Sequence, residues 1–198
     1  QFKRNRRGYW SAWVFLALFL FSSGAELIAN DKPIVVYYQN SFYFPIVKSY
    51  PETAFGGEFE TQADYRDPVV KKLIEDKGWM LWPPVHYSYQ TINYNLNVPA
   101  PGAPSAENII GTDDQGRDVF ARLIYGFRIS VLFGLVLTVL GIIVGVAVGA
   151  MEGYLGGLFG LLSQRFIEIW SGMPVFFLLI IMSSVITPGF FTLLLLML

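Results

Sequence analysis

From Ile129 to Ala150 the chain runs 22 residues without one charged side chain. About 20 predominantly apolar residues in a helix cross the hydrocarbon of a bilayer. A soluble domain can reach the 54% hydrophobic and 15% charged composition of this chain, but not with uncharged runs of this length. The run is therefore expected to be a membrane-spanning helix. Gly141, Gly145 and Gly149 recur every four residues along it and fall on one side, with Gly134 one heptad earlier on nearly the same face. Lipid offers no hydrophobic drive for helix association, so a glycine face that admits a second backbone closely is a means of packing.

The stretch just before this run marks the boundary between water and lipid. Gly111-Thr112-Asp113 and Gly116-Arg117-Asp118 supply turn formers and helix-starting oxygens, with Thr112 and Asp113 as capping-type residues. Val119, Phe120, Leu123, Ile124 and Phe127 then follow at helical spacing and form one apolar stripe. Asp118 and Arg122 stand four apart, acid first, the favourable order for an ion pair on a helix. The pattern predicts a short amphipathic helix lying on the membrane surface, with Gly126 allowing a bend into the span beyond it.

Upstream, Lys3, Arg4, Arg6 and Arg7 precede an apolar segment from about Tyr9 to Ala29 that lacks a small-x-small cleavage site. A retained first span with a cytoplasmic N-terminus is expected, with Glu26 in its last turns near the outer interface. Residues 30–110 differ from both flanks, being charged, tyrosine-rich and turn-rich. Ile34 to Tyr38 and Phe42 to Val47, separated by Gln39-Asn40-Ser41, predict a hairpin. Asp67-Pro68 with Val69, Val70, Leu73 and Ile74, ending at Gly78, predicts a capped helix of about three turns. Trp79 to Trp82 and Tyr87 to Tyr94 are extended candidates, and Pro99 to Pro104 a stiff linker. About 80 residues of this kind build only a small core. The aromatic clusters Tyr37, Tyr38, Phe42, Tyr43, Phe44 and Trp79, Trp82 suit either that core or a sugar- or peptide-binding face.

Downstream, Gly153 to Gly157 is expected as a short turn. Leu161 to about Thr187 is expected as a third span, with Arg165 and Glu168 paired at its start, a kink at Pro174, and an end at Pro188-Gly189. Phe190 to Leu198 would begin a fourth, too short to cross. With no initiator Met at Gln1, the chain is expected to be part of a longer polypeptide.

Several classes of function find no support in these residues. There is no cysteine, and the one histidine, His86, has no catalytic or multi-histidine metal context. Asp113, Asp114 and Asp118 lack the alternation and closing Glu of a calcium loop. The glycines at 153–157 lack the Lys-Ser/Thr of a nucleotide cradle. A net charge of −1 gives no field that recruits nucleic acid. No catalytic residue, cofactor site or metal site is expected.

The stretch Gly111, Thr112, Asp113, Gly116, Arg117, Asp118, Arg122, Gly126, Arg128 and Ser130 resembles the signature before the second span in permease subunits of the dipeptide/oligopeptide/nickel class of ABC importers. The similarity continues through Gly153-Tyr154-Leu155-Gly156-Gly157 and Arg165-Phe166-Ile167-Glu168 to Pro174; Gly160 stands where the family often has an Asp. Glu26 to Asn30, with Gly78-Trp79 and Trp82-Pro83-Pro84, resembles the subfamily that imports microcin C and oligopeptides.

The resemblance implies a mainly α, polytopic inner-membrane protein, like the permeases of type I ABC importers, with a small mixed α/β periplasmic insert between its first two spans. The expected divisions are 1–29, N-terminus and first span; 30–110, insert; 111–128, elbow; and 129–198, spans two, three and the start of a fourth. It also implies six spans, a second homologous permease subunit, separate ATP-binding subunits, a periplasmic substrate-binding protein and a peptide substrate. The family's Glu-Ala-Ala-type coupling loop is missing from these 198 residues. The rival class is a membrane-anchored periplasmic binding or assembly module, with an enzyme bearing an external active site a weaker third.

Overall fold

Residues 5–94, 96, 98–186 and 189–198 are described by the computed structural model; Lys3, Arg4, Thr187 and Pro188 lie outside the described residues. The chain divides into two units, residues 1–128 and 129–198.

The first unit opens with α1, Arg6–Ser23, whose first turn is capped by the Asn5 side chain accepting from the Gly8 N–H at 3.3 Å. The expected uninterrupted segment from Tyr9 to Ala29 is broken at Gly24, and a single turn, α2, follows over Ala25–Ile28. Next come β1 (Val35–Tyr38) and β2 (Ser41–Tyr43), paired antiparallel in the register Val36 to Tyr43. Gln39 and Asn40, at φ +47° and +64°, form the two-residue turn whose twist matches the strands. The hairpin is thus tighter than the sequence suggested, since Ser41 belongs to β2.

α3, Pro68–Glu75, begins as expected: the Asp67 carboxylate accepts from the Val69 N–H at 2.7 Å and Pro68 takes the first position. It is one turn shorter than expected. Gly78 does not stop it; Asp76 does, and Gly78 opens β3, Gly78–Leu81. There the Tyr37 carbonyl oxygen lies 1.8 Å from where a Cβ of Gly78 would stand, so a side chain is excluded. β3 pairs antiparallel with β1, giving the order β2-β1-β3. Tyr87 to Tyr94 forms no strand and contributes only an isolated bridge, Ile92 with Arg117.

Two cores result. One packs Val36, Tyr38, Phe55, Tyr65, Val70 and Ile74 between sheet and α3, with Phe55 edge-on to Tyr38, Tyr43 and Tyr65. The aromatic clusters thereby split: Tyr38 is core, whereas Tyr37, Phe42 and Trp79 lie together on the other sheet face with Phe42 and Trp79 exposed. The second core joins Ala25 and Ala29 to Val85, Tyr87, Ala121, Ile124 and Tyr125.

α4 runs unbroken over 37 residues, Val119–Leu155, about 55 Å at 1.5 Å per residue. This corrects two expectations. The amphipathic segment 119–128 is the first part of one long helix that is unbroken at Gly126, because a glycine in a helix only lowers the cost of a break that nothing here requires. The helix also persists past Ala150 through Gly153 and Tyr154, and the turn is confined to Gly156 and Gly157, at φ +56° and +52°.

In the second unit α5 (Gly157–Gly172) and α6 (Val175–Val185) meet at 76°, where a kinked single span was expected. Pro174 excludes helical backbone from the residue before it, so Met173 is extended (φ −76°, ψ 129°) and Pro174 starts α6 afresh. α7, Phe190–Met197, follows Gly189. Among the described residues α4 is the one helix long and apolar enough to cross a membrane, and α5 with α6 qualifies only as a bent pair.

Candidate functional site

The signature residues converge on the turn that launches α4. Gly111 sits at φ +87°, and a Cβ there would stand 2.5 Å from the Gly102 carbonyl oxygen, so only glycine fits. Thr112 locks that approach from both sides: its N–H donates to the Gly102 carbonyl at 3.0 Å and its Oγ1 accepts from the Gly102 N–H at 2.8 Å. Pro99 to Pro104 is thus pinned to the signature rather than left as a free linker.

Asp113 is the hub of the loop. Its Oδ1 accepts from the Gln115 and Arg117 N–H groups, each at 2.9 Å. Its Oδ2 accepts from Arg117 Nε and Nη2, both at 2.8 Å, and from Arg122 Nη1. Burial pushes this carboxyl up, but the Arg117 and Gln115 amides and the two guanidinium groups outweigh it and hold it down at about 2. Gly116, at φ +78°, closes the turn, and its carbonyl accepts from the Asn93 N–H at 2.8 Å.

Asp118 is fully buried. Its Oδ1 accepts from the Ala121 N–H at 2.7 Å, which makes Asp118, not Thr112 or Asp113, the cap of α4. Its Oδ2 accepts from Asn108 Nδ2 at 2.8 Å, and Asn108 Oδ1 accepts from Asn93 Nδ2 at 3.1 Å. The expected Asp118–Arg122 pair is therefore not made. A capping carboxylate folds back over the first turn and faces inward, so Arg122, on the outer side, reaches over the loop to Asp113. Nor do Asp113, Asp114 and Asp118 gather as a cation site, and no metal-binding cluster occurs among the described residues.

Nearly three turns past Asp118, Arg128 makes a bidentate pair with Glu26, at 2.9 and 2.8 Å. Its guanidinium lies 5.2 Å from the Tyr125 ring centre, and the Tyr125 hydroxyl donates to the Ala29 carbonyl at 3.1 Å. Sequence reading placed Glu26 at an interface but missed this partner and both asparagines. The available signal was the acid itself, an unpaired carboxylate in an apolar helix that requires a cation. Arg165 does pair with Glu168, at 2.7 Å on exposed helix surface.

The remaining marked residues lie in the second unit. Gly141, Gly145 and Gly149 line a cleft of about 840 Å³ shared with α5, and a Cβ added to any of them would meet nothing within 4 Å. Pro174 is at the α5–α6 break. His86 lies against the Trp82 ring at 5.1 Å; burial, then the charges of Lys71 and Arg66, lower its pKa. The signature arrangement holds backbone in place and presents no nucleophile with a base beside it.

Along nearly its whole length, signature stretch and uncharged helix included, the chain is similar to permease subunits of ABC transporters. It is 53% identical over 194 residues, 98% of this chain and 57% of the relative, to the inner membrane ABC transporter permease protein YejE of Escherichia coli (strain K12). The peptidoglycan transport system permease protein YejE of Agrobacterium fabrum is 50% identical, with the same coverage of each chain. The oligopeptide transport system permease protein OppC of Bacillus subtilis is 36% identical over 56% of this chain and 35% of its own. The chain spans 57% of the length of the first two relatives. No family model matches it.

Proposed function

We propose that this chain is membrane-spanning pore sequence of an ABC importer that carries peptides or peptide-like compounds, of the oligopeptide or microcin C type, across the bacterial inner membrane. The single observation that carries the reading is the similarity to permease relatives across 98% of the chain, through clasp and long helix alike. The relatives' printed names point to dipeptides, oligopeptides and peptidoglycan, so the shared substrate chemistry is the peptide bond with its flanking termini. Transport is the activity; ATP hydrolysis belongs to separate ATP-binding subunits, and a second homologous permease subunit and a substrate-binding protein complete the complex.

In this reading α1 is a first span with a cytoplasmic start, supported by Arg6 and Arg7 beside its apolar stretch. Residues 30–128 stand on the periplasmic side as a small α/β insert and clasp. α4 is the second span, and α5 and α6 a broken third. Gly111, Thr112, Asp113, Gly116, Arg117, Asp118, Arg122 and Arg128 form a structural elbow that orients α4, rather than a peptide grip.

The complete transporter in proteoliposomes, with its ATP-binding subunits and binding protein, is expected to accumulate labelled oligopeptide only when ATP is present. An assembled, ATP-hydrolysing complex that moves no peptide would overturn the reading. For topology, Glu58→Cys is expected to react with an impermeant thiol reagent in intact spheroplasts; labelling only after lysis would reverse the assignment.

A further inference from the structure

The end of the first apolar segment and the start of α4 are fastened together by three kinds of contact. The first is packing: Ala25, Ala29 and Ala121 are fully buried and share one core with Ile124, Tyr125 and Val85. The second is the bidentate Glu26–Arg128 pair, beside which Arg128 Nη1 also donates to the Ser23 carbonyl at 3.5 Å. The third is the buried hydrogen bond from the Tyr125 hydroxyl to the Ala29 carbonyl. The insert is stitched into the same seam. The Asn30 N–H donates to the Val85 carbonyl at 3.1 Å, and the Val85 N–H to the Ile28 carbonyl at 3.0 Å.

Opening this seam does several costly things at once. It leaves Glu26 and Arg128 without each other, strands the Tyr125 hydroxyl and the Ala29 carbonyl, and uncovers the alanines. A gate made of a lone ion pair opens readily because water takes up both ions. Here the same movement has to break a buried core as well. Local opening concentrates where buried contacts are few, and that description fits residues 129–198, where Leu194 is the one buried residue among those described.

We propose that α2, the insert and the stretch of α4 from Val119 to Arg128 form one rigid body whose seam stays shut through the whole transport cycle. Glu26 and Arg128 are then a permanent fastening and not a gate. The proposal rests on the transport reading. Alternating access proceeds largely by moving rigid bodies against one another, and the seam assigns the exit of α1 and the entry of α4 to the same body.

The test is covalent. In the complete transporter, Glu26→Cys and Arg128→Cys are joined by a short, reducible bis-methanethiosulfonate linker, which replaces the reach of the two paired side chains. The chain has no cysteine of its own to compete, and a monofunctional reagent controls for thiols on other subunits. Conformational steps set many turnover rates, so uptake by the linked transporter is expected to stay within about twofold of the monofunctionally treated one. A larger loss that reductant reverses would overturn the proposal, as would a linker that fails to close in the assembled complex. A second measurement leaves the ion pair intact. Nitroxides replace Leu27 and Leu123, both more than half exposed, and pulsed electron paramagnetic resonance reads their separation with and without ATP and vanadate. The same distance is expected in both states, and a shift of more than about 2 Å would overturn the proposal. A complete transporter whose parent chain takes up no peptide would instead overturn the transport reading.

Discussion

Residues 1–128 and 129–198 solve opposite problems. In the first unit, buried aromatic side chains pack edge-on around Phe55, and Asp118, Asn108 and Asn93 satisfy one another in the interior. In the second, Leu194 is the one buried residue among those described, while Ile142, Val146, Leu162 and Phe166 stand more than half exposed. Apolar surface on that scale is untenable in water and ordinary in lipid or against other spans. One unit holds its shape by its own contacts; the other carries most of its apolar side chains on the outside. α4 belongs to both, satisfied at its N-terminal end and open beyond it.

The largest effect is expected at Asp118. Asp118→Ala removes the cap of α4 and strands the Asn108 amide in the interior, with a combined cost of about 2–4 kcal/mol. Denaturant melts in detergent, followed by a probe in the first unit, should show it. An unchanged midpoint would mean that the first unit is not held by its own polar interior, and the contrast between the units would fall.

Acid comes next. Asp113 is held at about 2, below its usual 3.8, so its contribution to stability is fully present above pH 4 and is lost as pH falls through 2. The loss is on the order of 1–2 kcal/mol, and Asp113→Asn should flatten that part of the pH–stability curve. A curve equally steep in the variant would remove Asp113 as its source.

Third is the Glu26–Arg128 pair, whose side chains are about a third and a quarter exposed. A double-mutant cycle with Glu26→Gln and Arg128→Met should give a coupling of about 1 kcal/mol. Additive single effects would show that the two helices are joined by Tyr125 and the alanines alone.

What was legible in the sequence follows the same division. The uncharged run, the Asp67-Pro68 cap and the Gln39-Asn40 turn are local signals: a period, a cap, a pair of residues tolerant of positive φ. The partners of Asp118 and Arg128 are 10 and 102 positions away, and no local rule pairs them. The Asp118–Arg122 expectation failed for that reason. Spacing four is right for an ion pair on an open helix surface, but Asp118 is the residue before the helix, turned inward by Asn108 and the Ala121 amide. Gly126 failed differently: glycine permits a break, whereas Pro174 compels one, and α4 continues through Gly126 while α5 and α6 part at the proline.

The smallest effect, and the finest test, is at Arg122. Its side chain is 43% exposed, and Asp113 keeps the Nε and Nη2 of Arg117 when Arg122 is removed. Arg122→Gln should therefore lower stability by about 0.5 kcal/mol and reduce the yield of assembled transporter modestly. A structural elbow predicts that this reduction is the whole effect: uptake per assembled complex stays constant, whatever the peptide. A residue that grips a substrate carboxylate predicts the reverse, with normal assembly and a selective loss of uptake for peptides with a free C-terminus over amidated ones. The geometry sides with the elbow, because the guanidinium is already spent on Asp113 and a peptide carboxylate would have to displace a carboxylate that four other N–H groups help to fix. Normal yield with carboxylate-selective loss would place Arg122 in the transport path and move the boundary between the self-sufficient unit and the open one upstream of the clasp.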